Sequence, residues 1–186
     1  YVKEITKFNV TIVDYRKVMD KEFQIFAQHY KHKFVTVYNL GDRSLLFLRS
    51  LERFYLLRNL MEQNVLENVL FVELDNLIYD DPQKWLNVLQ DFSLAFMIDN
   101  KDRIGSGIFF AKNYVELTKL TTLYYTYIST ATEKEFVSEM HANAYAMDKL
   151  ENLCILPTIF PNSVEANQIP QMAENFERFG KVLFDS

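Results

Sequence analysis

Three short stretches of this sequence carry side chains that could do chemistry. The first is Glu73-Leu74-Asp75-Asn76, which ends the apolar run Val69-Leu70-Phe71-Val72. Such a run suits a strand buried on both faces. In open α/β sheets, ligands bind just beyond the carboxyl ends of the strands. Two carboxylates one residue apart at such a place can divide the work. One can ligate a hard divalent cation while the other orients water or ribose hydroxyls. Acid-x-acid is also a common way to solvate a strand end. The second stretch is Gly105-Ser106-Gly107, where two glycines around a small hydroxyl allow a ligand close to the backbone. The same pattern serves in a turn or bulge. The third is Ser138-Glu139-Met140-His141, in which Glu139 has the chemistry of a general base or a sugar-hydroxyl acceptor.

Arginines add to these. Arg49 and Arg53 lie four apart at the edge of an apolar helix face, and arginine suits bidentate phosphate contact. A surface pairing around Glu52 explains the same spacing. Arg58 falls at the centre of the apolar face, so it must snorkel or meet a buried acid. His29 and His32 read as solvated helix-end residues. Cys154 reads as a small core residue, and Tyr124, Tyr125 and Tyr127 as packing.

The elements that must position these residues alternate between strand and helix. Strands are expected at 8–14, 34–38, 69–72, 92–98, 108–110 and 153–156. The clearest helix is 44–64, where Phe47, Leu51, Phe54, Leu57 and Met61 recur at steps of three and four. Others are expected over 17–31, from Asp80-Asp81-Pro82 through Trp85 to Leu89, and from Asn113 toward Ile128. A further one should run from Thr132 through Met140 and Met147 toward Leu150. Asn113 with Glu116, and Thr132 with Glu135, have capping-box spacing. The tail from Pro161 shows little periodicity. Alternation of this kind predicts an α/β domain.

Composition narrows the possibilities. With 186 residues, 49% of them hydrophobic and 24% charged, the chain can bury a sizeable core. It has 4 Gly and 4 Pro, where average usage gives roughly 20 together, so connections should be short. One cysteine excludes an internal disulfide and a thiolate-cluster zinc site. With three histidines, any metal would have to be held by carboxylates. A net charge of −5 argues against nucleic-acid binding. No apolar run approaches the ~18 residues of a membrane span. The start, Tyr1-Val2-Lys3-Glu4, has no apolar block of the signal-peptide kind. With a single cysteine this favours the cytoplasm over the secretory pathway, an argument that holds if the N-terminus is complete.

Taken in order, these segments resemble a glycosyltransferase of the GT-A, nucleotide-diphospho-sugar transferase type. The matching stretch opens at Leu51-Glu52-Arg53-Phe54-Tyr55-Leu56-Leu57-Arg58 and runs into Val69 to Asp80. In that family an Arg-Phe helix precedes the strand that delivers an acid-x-Asp motif. Gly105-Ser106-Gly107-Ile108-Phe109-Phe110 resembles the small-Ser-Gly strand that follows. Ser138-Glu139-Met140 resembles an acid-Met segment on the acceptor side, and Phe184-Asp185-Ser186 a late Phe-Asp segment. The resemblance covers roughly residue 45 to the end.

It implies a Rossmann-like, mostly parallel central sheet flanked by helices. It also implies one catalytic domain over 1–186, cut short at one or both ends. The implied activity is metal-dependent transfer of a sugar from a nucleoside-diphosphate donor to a glycan or other hydroxyl acceptor. Manganese or magnesium would sit at Asp75, with Glu73 (where the family more often has Asp) as a second ligand. Arg49, Arg53, Glu73, Asn76, Gly105, Ser106 and Gly107 would line the donor. Inversion at the anomeric centre would call for a base, Glu139 or more remotely Asp185, whereas retention would use neither. The competing expectation is a non-catalytic glycan- or protein-binding module that keeps the fold.

Overall fold

In the computed structural model, the described residues are 11–19, 21–31, 46–76, 78–79, 81–132, 137–158, 160 and 170–184. They form a four-stranded sheet with helices on both faces. In chain order the elements are a 3₁₀ turn at Tyr15–Lys17, α1 (Lys21–Tyr30), α2 (Leu46–Asn64), β1 (Val69–Val72), α3 (Pro82–Leu89), β2 (Leu94–Asn100), β3 (Arg103–Ala111), α4 (Tyr114–Thr130), α5 (Glu139–Met147), β4 (Leu153–Leu156) and α6 (Pro170–Arg178).

The sheet order is β1-β3-β2-β4. β3 runs antiparallel to both neighbours, and only β2 and β4 are parallel. The expected mostly parallel sheet is therefore corrected to a mixed, mostly antiparallel one. The cause is the connection at Lys101-Asp102. Two residues can only close a hairpin, so β3 returns against β2 and slots between β2 and β1. Leu94 to Ile98 is buried, and a covered antiparallel strand needs an apolar run as much as a parallel one, whereas Val69 to Val72, expected to be buried on both faces, is a half-buried edge strand.

Successive residues of each strand feed opposite cores, as period-two geometry requires. Phe96, Phe109 and Ile155 face α1, α2, α4 and α5, where Phe54 and Tyr124 are fully buried. Ala95, Met97, Phe110, Cys154 and Leu156 face Trp85 and Leu89 of α3, together with Phe179 and Phe184. Burial pushes the Cys154 thiol up to about 12, so it stays an inert core group.

The helices start where small polar residues satisfy open N–H groups. Asp81 caps α3 through the Gln83 N–H, and Asn113 caps α4 through the Glu116 N–H at 3.1 Å. α5 opens at Glu139 behind Ser138, not at Thr132. Residues 137 and 138 are not helical, and 133–136 lie outside the described residues. α1 starts at Lys21, later than expected. Residues 11–14 are not strand, while the rest of that expected strand and the one at 34–38 lie outside the described residues.

α6 was not expected. Its signal is Met172, Phe176 and Phe179 at helical spacing, all buried. Arg58 meets an acid, but an exposed one rather than the buried one expected. The arginine is 4% exposed, pairs with Glu22 at 2.9 Å, and also bonds Thr121 and Asn59, tying α1 to α2 and α4. Among the described residues, no helix is long and apolar enough to cross a membrane.

Candidate functional site

The carboxyl ends of β1 and β2 and the first residues of β3 open onto one cleft of about 540 Å³. α2 and the start of α5 wall it. Arg53, Glu73, Asp75, Asn76, Gly105, Ser106, Gly107 and Glu139 all line it. These are eight of the ten residues expected at the site, drawn from four separated stretches.

Arg53 is the hub. Its side chain is 16% exposed and lies beside the rings of Phe54 and Phe71, 5.5 Å from each centroid. One terminal nitrogen, Nη1, donates to Glu73 Oε1. The other, Nη2, donates to Ser106 Oγ and to Glu139 Oε1, each at 2.6 Å. Ser106 itself donates to Glu139 Oε1 at 2.5 Å. One guanidinium thus joins β1, β3 and α5 by charge-assisted hydrogen bonds. Arg53 Nε is buried without a hydrogen-bond partner among the described residues.

The strand residues reach this hub through an irregularity in the sheet. Phe96 pairs with Phe109 and Met97 with Gly105, so β3 bulges over residues 106–108 against β2. Gly105-Ser106-Gly107 is thus part of a strand, bulged rather than turned. The bulge aims the buried Ser106 at Glu139 and Arg53.

On the other side, Glu73 N–H donates to Gly107 O at 2.8 Å, and Asn76 N–H closes a turn onto Glu73 O at 3.1 Å. Asn76 Nδ2 also approaches Gly107 O at 3.4 Å. A Cβ on Gly107 would stand 3.2 Å from Met97 Cε and 3.3 Å from both Asn76 Nδ2 and Glu73 Oε2. On Gly105 its nearest neighbour would be 3.8 Å away. Gly107 is therefore the glycine that the close approach requires.

Glu139 is the opening residue of α5, where the partial positive charge of the helix start favours a carboxylate. Its side chain is 11% exposed. Its second oxygen has no hydrogen-bond partner among the described residues. Behind it, Tyr124 donates to Asn143, which in turn holds Ile104 O at 3.0 Å. Burial, reinforced by the charge of Glu139, holds the Tyr124 hydroxyl protonated, well above its ordinary range. Next to Glu139, Ser138 Oγ and His141 Nδ1 are 2.7 Å apart. Partial burial, with Arg103 nearby, lowers the imidazole pKa.

The remaining expectations fall elsewhere. Arg49 is 58% exposed, holds Glu52 at 2.5 Å and does not line the cleft. Asp185 lies outside the described residues. Sequence reasoning missed Asp99 and Arg103, which pair at 3.2 Å across the β2–β3 hairpin and line the cleft with Met140. Arg103 also reaches Met140 Sδ at 3.4 Å. The polar run Asp99 to Arg103 between two apolar strands is the signal that locates them.

Among the cleft's lining residues, two arginines stand against four carboxylates, a formal charge of −2. Among the described residues, no group of three or more ligating side chains is placed to hold a metal ion. Glu73 Oε2 and the exposed Asp75 are the carboxylate pair that such an ion would meet. No protein-family model, curated protein or solved structure matches this chain.

Proposed function

We propose that the cleft binds a nucleoside-diphosphate sugar with a divalent cation and transfers the sugar to a hydroxyl acceptor. The observation that carries this reading is the Arg53 hub. It gathers Glu73, Ser106 and Glu139, three residues with expected donor-side or acceptor-side roles, around one guanidinium at the strand ends.

The charge of the cleft supports a metal requirement. A −2 surface repels a diphosphate, and two divalent-friendly acids one residue apart offset that only with a cation between them. Glu73 and Asp75 would hold magnesium or manganese. With only two protein carboxylates, the remaining coordination would come from diphosphate oxygens and water, as is usual for magnesium. The bound ion supplies charge neutralisation for the leaving diphosphate.

The chain's own residues do the rest. Arg53 holds Glu73 in place and adds positive charge at the floor of the cleft. Ser106 and the Gly107 backbone form the wall against which the donor sugar lies. Glu139 is fixed on one oxygen by Arg53 and Ser106, leaving Oε2 to take the acceptor hydroxyl proton as the new glycosidic bond forms. The diphosphate departs with the electron pair of the broken bond.

A second reading has one observation in its favour. The charge of Arg53 is neutralised by two acids of the chain itself, as in a structural lock. The domain would then be a glycan- or protein-binding module. Replacing Glu139 with Gln separates the two. In the enzyme, metal-dependent binding of uridine and guanosine diphospho-sugars persists while donor turnover falls by about 10²-fold or more. Unchanged turnover removes Glu139 as the base. Absence of turnover in the unmodified chain, with every donor and manganese, favours the module.

A further inference from the structure

One turn back along α2, a second cavity of about 310 Å³ lies between that helix, α1 and the turn at Tyr15. Phe23, Ala27 and Leu48 give it apolar walls, and the exposed Tyr15 ring stands at its edge. Its size is at the small end of ligand sites. Gln24, Gln28 and Lys31 add polar side chains to the lining, and α2 contributes a carboxylate, Glu52, which is only 4% exposed. Glu52 Oε2 accepts from Arg49 at 2.5 Å. Among the described residues, Glu52 Oε1 is buried with no hydrogen-bond partner.

A buried carboxylate oxygen with nothing to accept is costly, and folded proteins rarely leave one. The same helix shows what full satisfaction looks like. Arg58, two turns on and equally buried, is bonded to Glu22, Thr121 and Asn59. Glu52 Oε1 therefore marks a donor group that is to be supplied from outside. The supplier needs an N–H or O–H on a flat apolar body. It also needs an acceptor alongside, because Arg49 has further N–H donors next to the carboxylate.

Building on the nucleotide-sugar reading above, we propose that this cavity seats the base of the donor nucleotide and that Glu52 with Arg49 selects a lactam edge. In a lactam edge a ring N–H stands beside a carbonyl. Glu52 Oε1 accepts from the N–H, and Arg49 donates to the carbonyl. Uracil and guanine share this edge. Cytosine and adenine place a bare ring nitrogen beside an amino group, so the carboxylate would meet a lone pair. α2 is the common wall, presenting Ser50 and Arg53 to the larger cleft and Arg49 and Glu52 to this one.

The test is calorimetry of uridine, guanosine, adenosine and cytidine diphosphates with manganese, on the unmodified chain and on Glu52→Met and Glu52→Gln. The expected result is that uridine or guanosine diphosphate, or both, bind about tenfold or more tighter than the other two. Glu52→Met should abolish that preference. Glu52→Gln, whose amide can also donate, should shift it toward cytidine or adenosine diphosphate. Two variants guard against misfolding, and each is compared at matched melting temperature. Equal binding of all four, or a lactam preference unchanged in both variants, overturns the base assignment and leaves the diphosphate reading standing. No binding of any of the four overturns both.

Discussion

Arg53 and Arg49 sit one turn apart on α2, and the chain treats them oppositely. Arg53 is 16% exposed and joins Glu73, Ser106 and Glu139. Arg49 is 58% exposed and, among the described residues, holds the inward-facing Glu52. Around Arg53, the acids are mutually tied and the cleft is organised before any ligand arrives. Around Arg49, a buried carboxylate oxygen is left over. On the proposal above, the contrast separates a charged centre tied together by the chain's own acids from a site that is completed by what binds. Spacing in the sequence cannot draw that distinction, because it depends on which elements stand opposite each arginine.

The sharpest way to break the comparison is to remove each arginine in turn. Arg53→Met strands Glu139, 11% exposed, and releases Glu73, so it should cost about 3 kcal/mol of stability in urea unfolding. Arg49→Met leaves Glu52, 4% exposed, with no hydrogen-bond partner among the described residues, but the 58% exposure of Arg49 lets water replace it, so the cost should be smaller, about 2 kcal/mol. Equal losses would mean that the hub is no more than a surface ion-pair cluster.

A smaller effect sharpens it at the glycines. Gly107→Ala must displace Met97 Cε, Asn76 Nδ2 or Glu73 Oε2, and should cost about 1–2 kcal/mol while disturbing the Glu73 contact to Arg53. Gly105→Ala makes only ordinary contacts and should stay within about 0.5 kcal/mol. Urea midpoints of the two variants check this. A reversed order would show that the approach of β3 to Glu73 is not what positions the acid.

Much of the site was legible because its residues sit at element ends, where short motifs and apolar runs coincide. Val69 to Val72 announced a strand, which lies half-buried at the sheet edge rather than buried on both faces, and the acids beyond it had to lie at its carboxyl end. Ser138-Glu139 was expected inside a helix opening at Thr132, but the helix opens at Glu139 itself. What stayed hidden depends on strand order. The two-residue hairpin at Lys101-Asp102 was the clue to β3 lying antiparallel between β1 and β2. That placement brings Asp99 and Arg103 to the cleft. The bulge at 106–108 was hidden too, since it exists only against β2. α6 was hidden by its polar residues, although Met172 and Phe176 keep the helical step.

The central claim is that the cleft holds a nucleotide diphosphate through a cation at Asp75. Asp75 is exposed, so Asp75→Ala should leave the fold within about 0.5 kcal/mol of the unmodified chain. A ligand at 100 times its dissociation constant stabilises by about 2.7 kcal/mol, which for a chain of this length raises the melting temperature by roughly 5–10 °C. The decisive measurement is thermal unfolding with manganese and uridine or guanosine diphospho-sugars, with and without the metal. The account predicts a rise of that size in the unmodified chain that needs both metal and donor and vanishes in Asp75→Ala. An equal rise in Asp75→Ala, or none in the unmodified chain with any donor, would contradict it.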